Sequence, residues 1–312
     1  MTLEGLKQIL YNQRGLYLAL LSGVLFATQG LGTNLLTAAL ISPWSICFYY
    51  NLCNVFAIPW VNWKASKTYS ISDLALYFLA GAFDTGNFAL ALQAYSFTTI
   101  GNASAILLSK PLWCALLACM LLRETFSLLD AGLVILNLLG VLLISKPPLI
   151  FESFTGYHDS DEFWGAMFAL WGAISGGFQF VTIRSLVDRG IFDYFLLFVV
   201  RCTFGFPIFA VIVCANLDNY MNFHQLSQWI FLAIICLSGL GASLATYAAL
   251  NSRDAKTVAL IATVQVVVAY TFQFLIIGSS IDLLTVVGAV LIILSPVVFI
   301  IKSVIVEQND VI

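Results

Sequence analysis

Apolar runs of about 20 residues recur along the whole 312-residue chain, separated by short polar segments. An α-helix needs roughly 20 mostly apolar residues to cross the hydrocarbon core of a bilayer, so each run predicts a membrane span. Ten spans are predicted, with boundaries uncertain by a few residues. They lie at Leu16–Leu36, Trp44–Val61, Leu74–Ala94, Asn102–Leu122, Leu128–Ser145, Phe163–Ile183, Ile191–Cys214, Trp229–Leu250, Val258–Ile277 and Leu283–Ile301.

Composition supports an all-α polytopic membrane protein. The chain is 61% hydrophobic and only 9% charged, which leaves too few polar side chains to cover the surface of a soluble globule. No soluble domain fits between the apolar runs. The seven cysteines fall within or beside these runs without CxxC spacing, which is typical of small buried apolar residues and not of disulfides or metal ligands.

The basic residues predict the orientation of the spans. When successive connections are assigned to alternate sides, ten of the 13 Lys and Arg residues fall on the side that also holds both termini. Cytoplasmic connections are enriched in Lys and Arg, so this side is predicted to be cytoplasmic. The ten residues are Lys7, Arg14, Lys64, Lys67, Arg123, Arg184, Arg189, Arg253, Lys256 and Lys302, whereas the opposite side receives Lys146 alone.

The two halves of the chain are similar to each other. The segment "NASAILL" at Asn102 matches "KTVALIA" at Lys256, and similar pairs link the first span with the sixth and the fifth with the tenth. Because each half holds an odd number of spans, the second half must be inverted relative to the first. The predicted division is a first repeat at 1–146, a non-cytoplasmic connection at 147–162 and a second repeat at 163–312.

One segment resembles a known family. The sequence "ALQAYSFTTIGNASAILLSKPLWCALLACMLLRETFSLLDAGLVILNLLGVLLISKPP", Ala91–Pro148, is similar to the EamA module of the drug/metabolite transporter superfamily, particularly the G branch of solute carrier family 35. The resemblance implies ten spans as two inverted five-helix EamA repeats, with cytoplasmic termini and a central cavity. It also implies that the fifth and tenth spans are peripheral and form a homodimer contact, and both are almost entirely apolar.

Three ionisable residues lie near the middle of predicted spans: Asp84, Lys110 and Arg201. A charge at that depth costs roughly 2.5 to 3.5 kcal/mol even on the mildest scale, so each residue should face a cavity or a partner. Lys110 and Arg201 could bind an anionic substrate while Asp84 pairs with one of them or carries a proton. Alternatively, Asp84 and either cation form a structural ion pair. A lysine near this position also occurs in the nucleotide-sugar branches of the resembled family, which favours anionic substrates.

Further candidate substrate contacts lie close to these charges. Pro111 lacks a backbone N–H and should bend or open the fourth span beside Lys110. Trp113 lies on the same helical face as Lys110, and the internal match places Gln265 opposite Pro111. Interhelical hydrogen bonding or packing is the alternative role for each candidate. The remaining two candidates are Asn87 and Tyr270, and the weaker polar positions are Gln29, Asn51, Gln179 and Tyr247.

These features favour a secondary-active transporter of a small organic anion or of a phosphorylated or nucleotide-sugar-like metabolite. A broad-specificity drug or metabolite exporter and a non-transporting regulatory membrane protein are the alternatives. Both histidines, His158 and His224, fall in connections, and no HExxH, GxSxG or phosphate-binding loop is present. We therefore expect no catalytic residues, enzyme activity, metal, cofactor or nucleic-acid partner. The sequence does not distinguish the plasma membrane from the endomembranes.

Overall fold

A computed structural model describes residues 14–39, 41–66, 68–97, 103, 106–123, 127–145, 160–215, 223, 225–272, 274–275 and 283–309. This described part of the chain is helical, with short turns and no strand. Several sequence features lie outside it. They are Lys7, Lys67, Lys146, His158, His224 and most of the connection at 147–162.

The helices alternate with short connections along both halves of the chain. In the first half they are α1 (Arg14–Ala38), α2 (Pro43–Cys53, continued by the 3₁₀ helix Asn54–Trp60), the short α3 (Trp63–Ser66), α4 (Ile71–Phe97), α5 (Lys110–Leu117, continued by the π-helical Ala118–Leu122) and α6 (Leu128–Ser145). In the second half they are α7 (Ser160–Asp188), α8 (Tyr194–Ala215), α9 (Leu226–Leu250), α10 (Ala255–Ala262), α11 (Val264–Phe272) and α12 (Leu283–Asn309).

Length and hydropathy identify the membrane-spanning helices. In the described residues, six helical stretches are long and apolar enough to cross a bilayer, and three shorter helices are also apolar. The six are Arg14–Thr33, Ile71–Ala94, Phe163–Asp188, Tyr194–Ala215, Leu226–Leu250 and Ala255–Phe272; the three are Lys110–Leu122, Leu128–Leu143 and Leu283–Val298. The expected all-helical, multi-pass membrane protein is therefore confirmed.

Two predicted spans are interrupted near their middle. The α-helix of the fourth span begins at Lys110, after a turn at Leu108 and Ser109, and the ninth span is divided by a turn at Thr263. At each break a hydroxyl group bonds the carbonyl three residues earlier: Ser109 Oγ donates to Ile106 and Thr263 Oγ1 to Leu260, both at 2.6 Å. Such bonds offer the backbone an alternative to regular helical pairing.

The second predicted span also differs from a uniform α-helix. Its α-helical part ends at Cys53, and a 3₁₀ helix continues to Trp60 with Pro59 inside it. Proline removes one backbone donor and crowds the preceding turn, which disfavours α-helical pairing there. The break in the fourth span, predicted from Pro111, is confirmed, whereas those in the second and ninth spans were not foreseen.

Helices from the two halves pack against one another. Helix α1 packs on α9, α4 packs on α7, and α2 packs on α8. Helices α5 and α7 are also in contact, as are α1 and α11. The largest apolar cluster includes buried residues from both halves, among them Leu16, Tyr77, Leu197 and Leu250. The core therefore lies between the halves, and side chains at their interface are screened from lipid.

The peripheral helices α6 and α12 pair with each other. A Cβ at Gly140 would lie 2.8 Å from the Gly288 carbonyl oxygen, so glycine is needed for this close approach. The contact also buries a polar group, because Asn137 Nδ2 donates to Thr263 Oγ1 at 2.8 Å and to Ser295 Oγ at 3.0 Å. The almost entirely apolar sequence of these spans gave no indication of these hydrogen bonds. The possible homodimer through these two helices remains a prediction.

Different interactions join the halves at the two ends of the bundle. At the end that we call the Asp73 end, Arg189 Nη1 lies 3.0 Å from Asp73 Oδ1 and the Asn62 amide donates to Asp193 Oδ2 at 3.0 Å. Tyr77 Oη donates to the Ile191 carbonyl at 2.7 Å. Nearer the other end the contacts are aromatic, with the ring of Tyr49 against Phe223 and Trp229 at centroid distances of 5.4 and 5.8 Å.

Candidate functional site

A polar cavity of about 70 Å³ lies at the interface of the two halves. Its walls come from α1, α2, α4, α5, α7, α8, α9 and α11, so side chains distant in sequence converge there. We call it the central cavity. Its polar lining residues are Gln29, Tyr50, Asp84, Asn87, Lys110, Gln179, Arg201, Ser243, Thr246, Tyr247 and Gln265.

Arg201 and Asp84 form a buried ion pair in the cavity wall. Arg201 Nη1 lies 3.1 Å from Asp84 Oδ2, and the two residues are only 3% and 4% exposed. A Cβ at Gly81 would meet the Arg201 backbone nitrogen at 3.2 Å, so this glycine lets α4 approach α8 closely enough for the pair to form. The sequence left the partner of Asp84 open between Lys110 and Arg201, and in the structure it is Arg201.

Aromatic residues complete the surroundings of this ion pair. Tyr247 Oη donates to Asp84 Oδ2 at 2.8 Å, and Arg201 Nη1 donates to Tyr50 Oη at 3.4 Å. The guanidinium carbon of Arg201 lies 4.7 Å from the ring centroid of Tyr50 and 5.8 Å from that of Phe88. A buried charge pair is stable only when further hydrogen bonds and favourable electrostatics offset its desolvation. These contacts provide that compensation.

Lys110 is the other cation of the cavity. Its Nζ lies 5.2 Å from the ring centroid of Phe180, and it makes no ion pair with any residue that the structure describes. A Cβ at Gly176 would lie 2.7 Å from Lys110 Cδ and 3.0 Å from Asn87 Oδ1, so α7 has room for these side chains only because it carries glycine there. The cavity lining therefore has two positive charges and one negative charge.

Four polar atoms in the cavity lining lack hydrogen-bond partners within the described part of the chain. They are Gln29 Nε2, Gln179 Oε1, Arg201 Nε and Thr246 Oγ1. Buried polar groups in folded proteins nearly always have partners, because an unpaired group loses its hydration without compensation. Their concentration in one small cavity indicates that this space is suited to a polar occupant.

Five of the seven predicted site residues line the central cavity: Asp84, Asn87, Lys110, Arg201 and Gln265. The structure does not bring the other two to it. They are Trp113, whose Nε1 donates to Ser109 Oγ at 3.2 Å, and Tyr270, which packs in an apolar cluster with Val141, Val266 and Ile292.

Six lining residues were missed as candidates from the sequence, namely Phe26, Tyr50, Phe88, Phe180, Ser243 and Thr246. Aromatic residues are too common to single out, since the chain has 7 Trp, 12 Tyr and 25 Phe. Ser and Thr side chains can bond within their own helix, so their presence in a span does not indicate a cavity. No sequence signal would have found these six.

The helices and the cavity define a class of protein: a multi-pass membrane protein with a charged cavity enclosed between two halves. The EamA-like transporter family matches residues 13–146 and 163–301, which is most of the chain. The chain belongs to this family of membrane transporters.

Two relatives are similar to the chain over a large part of its length. Solute carrier family 35 member G1 of Mus musculus is 29% identical over 221 residues, and the Homo sapiens protein of that name is 27% identical over 231 residues. Each match covers 70% of this chain, but only 59% of the mouse protein and 60% of the human protein. The chain therefore spans about three-fifths of the length of these relatives.

A solved crystal structure of a protein has a similar fold. The two structures match with a TM-score of 0.73 over 94% of this chain and 98% of the other, at 12% sequence identity. At this identity the match bears on the fold alone. It agrees with the family assignment in describing one helical architecture over nearly the entire chain.

Proposed function

We propose that the protein is a secondary-active transporter that carries a small organic anion across the membrane by alternating access. The observation that carries this proposal is Lys110, a half-buried cation in a cavity whose carboxylate is already paired with Arg201. An uncompensated charge at this depth is costly, and an anionic substrate would neutralise it. Binding would then depend chiefly on the Lys110 ammonium group.

The cavity volume supports a small solute. Pockets for drug-sized ligands have volumes of roughly 300 to 1,000 Å³, whereas the central cavity has about 70 Å³. A nucleotide-sugar-like metabolite would require a large expansion of the cavity. A compact anion requires much less expansion. We therefore narrow the proposed substrates from phosphorylated and nucleotide-sugar-like metabolites to small anions.

Ten spans in two inverted repeats are part of the proposal. The six long apolar stretches, the three shorter ones and α2 with its 3₁₀ continuation would together make ten crossings in the described part of the chain. If each crossing of the first half is exchanged with the corresponding crossing of the second half, the contact between α1 and α9 becomes the contact between α7 and α4. The contact between α1 and α11 becomes that between α7 and α5 in the same way. The breaks at Ser109 and Thr263 also correspond, because each is the seventh residue after the start of the matching segments at Asn102 and Lys256.

The contacts at the two ends of the bundle support alternating access. At the Asp73 end, an ion pair, hydrogen bonds and the ring contact of Trp60 with Phe195 join the halves, whereas the contacts of Tyr49 nearer the other end are aromatic. The Asp73–Arg189 pair is partly exposed, and an exposed ion pair contributes only about 0 to 1 kcal/mol, so breaking it during opening would cost little. By the distribution of basic residues, we assign the Asp73 end to the cytoplasmic side.

Flux measurements on purified protein test the proposal. The protein is first screened by thermal shift against small metabolite anions, since a ligand that binds only the folded state raises apparent stability. Anions that stabilise it are then used in proteoliposomes, with a neutral analogue and a nucleotide-sugar for comparison. We expect saturable flux of small anions alone. Absence of flux for every stabilising anion would contradict the transporter, and preferential flux of the nucleotide-sugar would contradict the substrate size.

A further inference from the structure

We infer that Gln29 and Gln179 hydrogen-bond an uncharged polar part of the substrate, so that the transported solute is a small monoanion that also carries hydroxyl groups. This inference rests on the proposed transport function and specifies its substrate class. The structural basis is a pair of buried glutamines in the central cavity, each with an amide atom that has no partner among the described residues.

The two glutamines occupy comparable places in the two halves. Gln29 lies in α1 and Gln179 in α7, which are the first long helices of their halves. They are 6% and 7% exposed. The unpartnered atom is a donor in Gln29, Nε2, and an acceptor in Gln179, Oε1. A hydroxyl group can both donate and accept, so hydroxyl groups of one solute can complement both unpartnered atoms.

Close packing with α9 gives Gln29 its place. A Cβ at Gly239 would clash with Gln29 Nε2 and would lie 2.6 Å from a ring carbon of Tyr50. The glycine therefore leaves the space that the amide occupies. Thr246 Oγ1 and Arg201 Nε are further unpartnered polar atoms in the same lining. The cavity thus offers several hydrogen-bonding atoms in addition to the ammonium group of Lys110.

The charge of the lining sets the charge of the solute. Arg201 and Asp84 compensate each other at 3.1 Å, which leaves the single positive charge of Lys110. A monoanion would neutralise that charge, whereas a dianion would leave a net negative charge in a buried space. The substrate that best fits the lining therefore combines one negative charge with neutral donors and acceptors.

Three monoanions with the same three-carbon skeleton provide the test: propionate, lactate and glycerate, which carry zero, one and two hydroxyl groups. Their flux into proteoliposomes is measured with the full chain. We expect glycerate to be favoured over lactate and lactate over propionate, by roughly tenfold for the best-placed hydroxyl group. In Gln29→Met and Gln179→Met, which keep side-chain length but remove the amide, the flux ratios of glycerate and lactate to propionate should fall towards one. Gln93→Met, outside the central cavity, should keep the wild-type preference.

The possible results separate this inference from the proposed function. Flux of all three anions at equal rates in the wild-type protein would overturn the role of the glutamines but leave anion transport standing. Unchanged preference in both methionine variants would also overturn it. Failure of all three monoanions, with saturable flux of another class of small anion, would overturn the substrate class alone. If a methionine variant does not fold, the wild-type order of the three anions still decides the result.

Discussion

Arg201 Nη1 lies 3.1 Å from Asp84 Oδ2 in the membrane-embedded interior, and this pair leaves Lys110 as the cavity cation without an ionic partner among the described residues. The pair and the lone lysine therefore have different expected roles. Arg201 and Asp84 connect α8 to α4 and should matter for folding. Lys110 should matter for the solute, and mutations can distinguish these roles.

Replacement of Lys110 should affect transport more than stability. We expect Lys110→Ala to reduce anion flux by roughly 10- to 100-fold, because a hydrogen bond to a charged group is lost. Lys110→Arg should only weaken flux, since the charge is kept but its shape differs. Lys64→Ala, on the exposed surface of α3, is the matched control. Wild-type flux in a correctly folded Lys110→Ala protein would contradict the anion site.

Replacement of Arg201 should destabilise the protein. Arg201→Met leaves Asp84 buried without its cation, and breaking a buried ion pair in this way costs about 3 to 5 kcal/mol in free energy of unfolding. Combining it with Asp84→Leu removes both charges and should restore part of that stability. Thermal unfolding in detergent measures both variants, with Arg189→Met as a control for a largely exposed ion pair. Equal losses for Arg201→Met and Arg189→Met would show that burial adds nothing.

Replacement of Asp73 should loosen the Asp73 end. Asp73→Asn weakens the bond to Arg189, which joins the two halves, and should speed hydrogen exchange at the Ile191 and Asp193 amides by roughly twofold. Asp188→Asn removes the same charge at the same end, but its partner Arg184 lies in the same helix, α7. Exchange in this control should match the wild type at the same amides. Equal acceleration in both variants would assign the effect to net charge.

A methyl group at Gly177 should separate α7 from α5. A Cβ there would lie 3.1 Å from the backbone nitrogen of Cys114, and backbone cannot move aside as a flexible side chain can. We expect Gly177→Ala to cost about 1 to 3 kcal/mol in unfolding free energy. In Gly30→Ala the new Cβ meets no described atom within 4 Å, and the change should raise helix stability by about 0.5 to 1 kcal/mol. Opposite shifts in thermal unfolding are therefore expected.

The site was partly predictable from the sequence because charge is rare inside membrane spans. Asp84, Lys110 and Arg201 stood out for this reason, and all three line the central cavity. Asn87 and Gln265 followed from depth and from the internal match. The prediction that Trp113 and Tyr270 belong to the site was not met, because the spacing of residues along one helix does not determine which neighbouring helix or cavity a side chain faces. Tyr270 lies five residues after Gln265, about 1.4 helical turns, and so points to another side.

The broken helices show a similar division. Pro111 marks the break in the fourth span, since proline cannot pair as a donor. Thr263 carries no such mark, yet the ninth span is interrupted there as well. The Thr263 hydroxyl donates to the carbonyl of Leu260, three residues earlier, and accepts a hydrogen bond from Asn137, which lies 126 residues away. A long-range partner of this kind cannot be inferred from a local pattern.

By itself, the sequence determined that this protein lies in a lipid bilayer and that its secondary structure is helical. Long apolar runs must be helical in a bilayer, because their backbone groups have no water to bond. The tertiary structure alone decided which charges meet. Asp84 and Arg201 are 117 residues apart, and Lys110 is much closer to Asp84 along the chain. Helix packing, with Gly81 admitting α8 beside α4, brings Arg201 to Asp84 and leaves Lys110 in the central cavity.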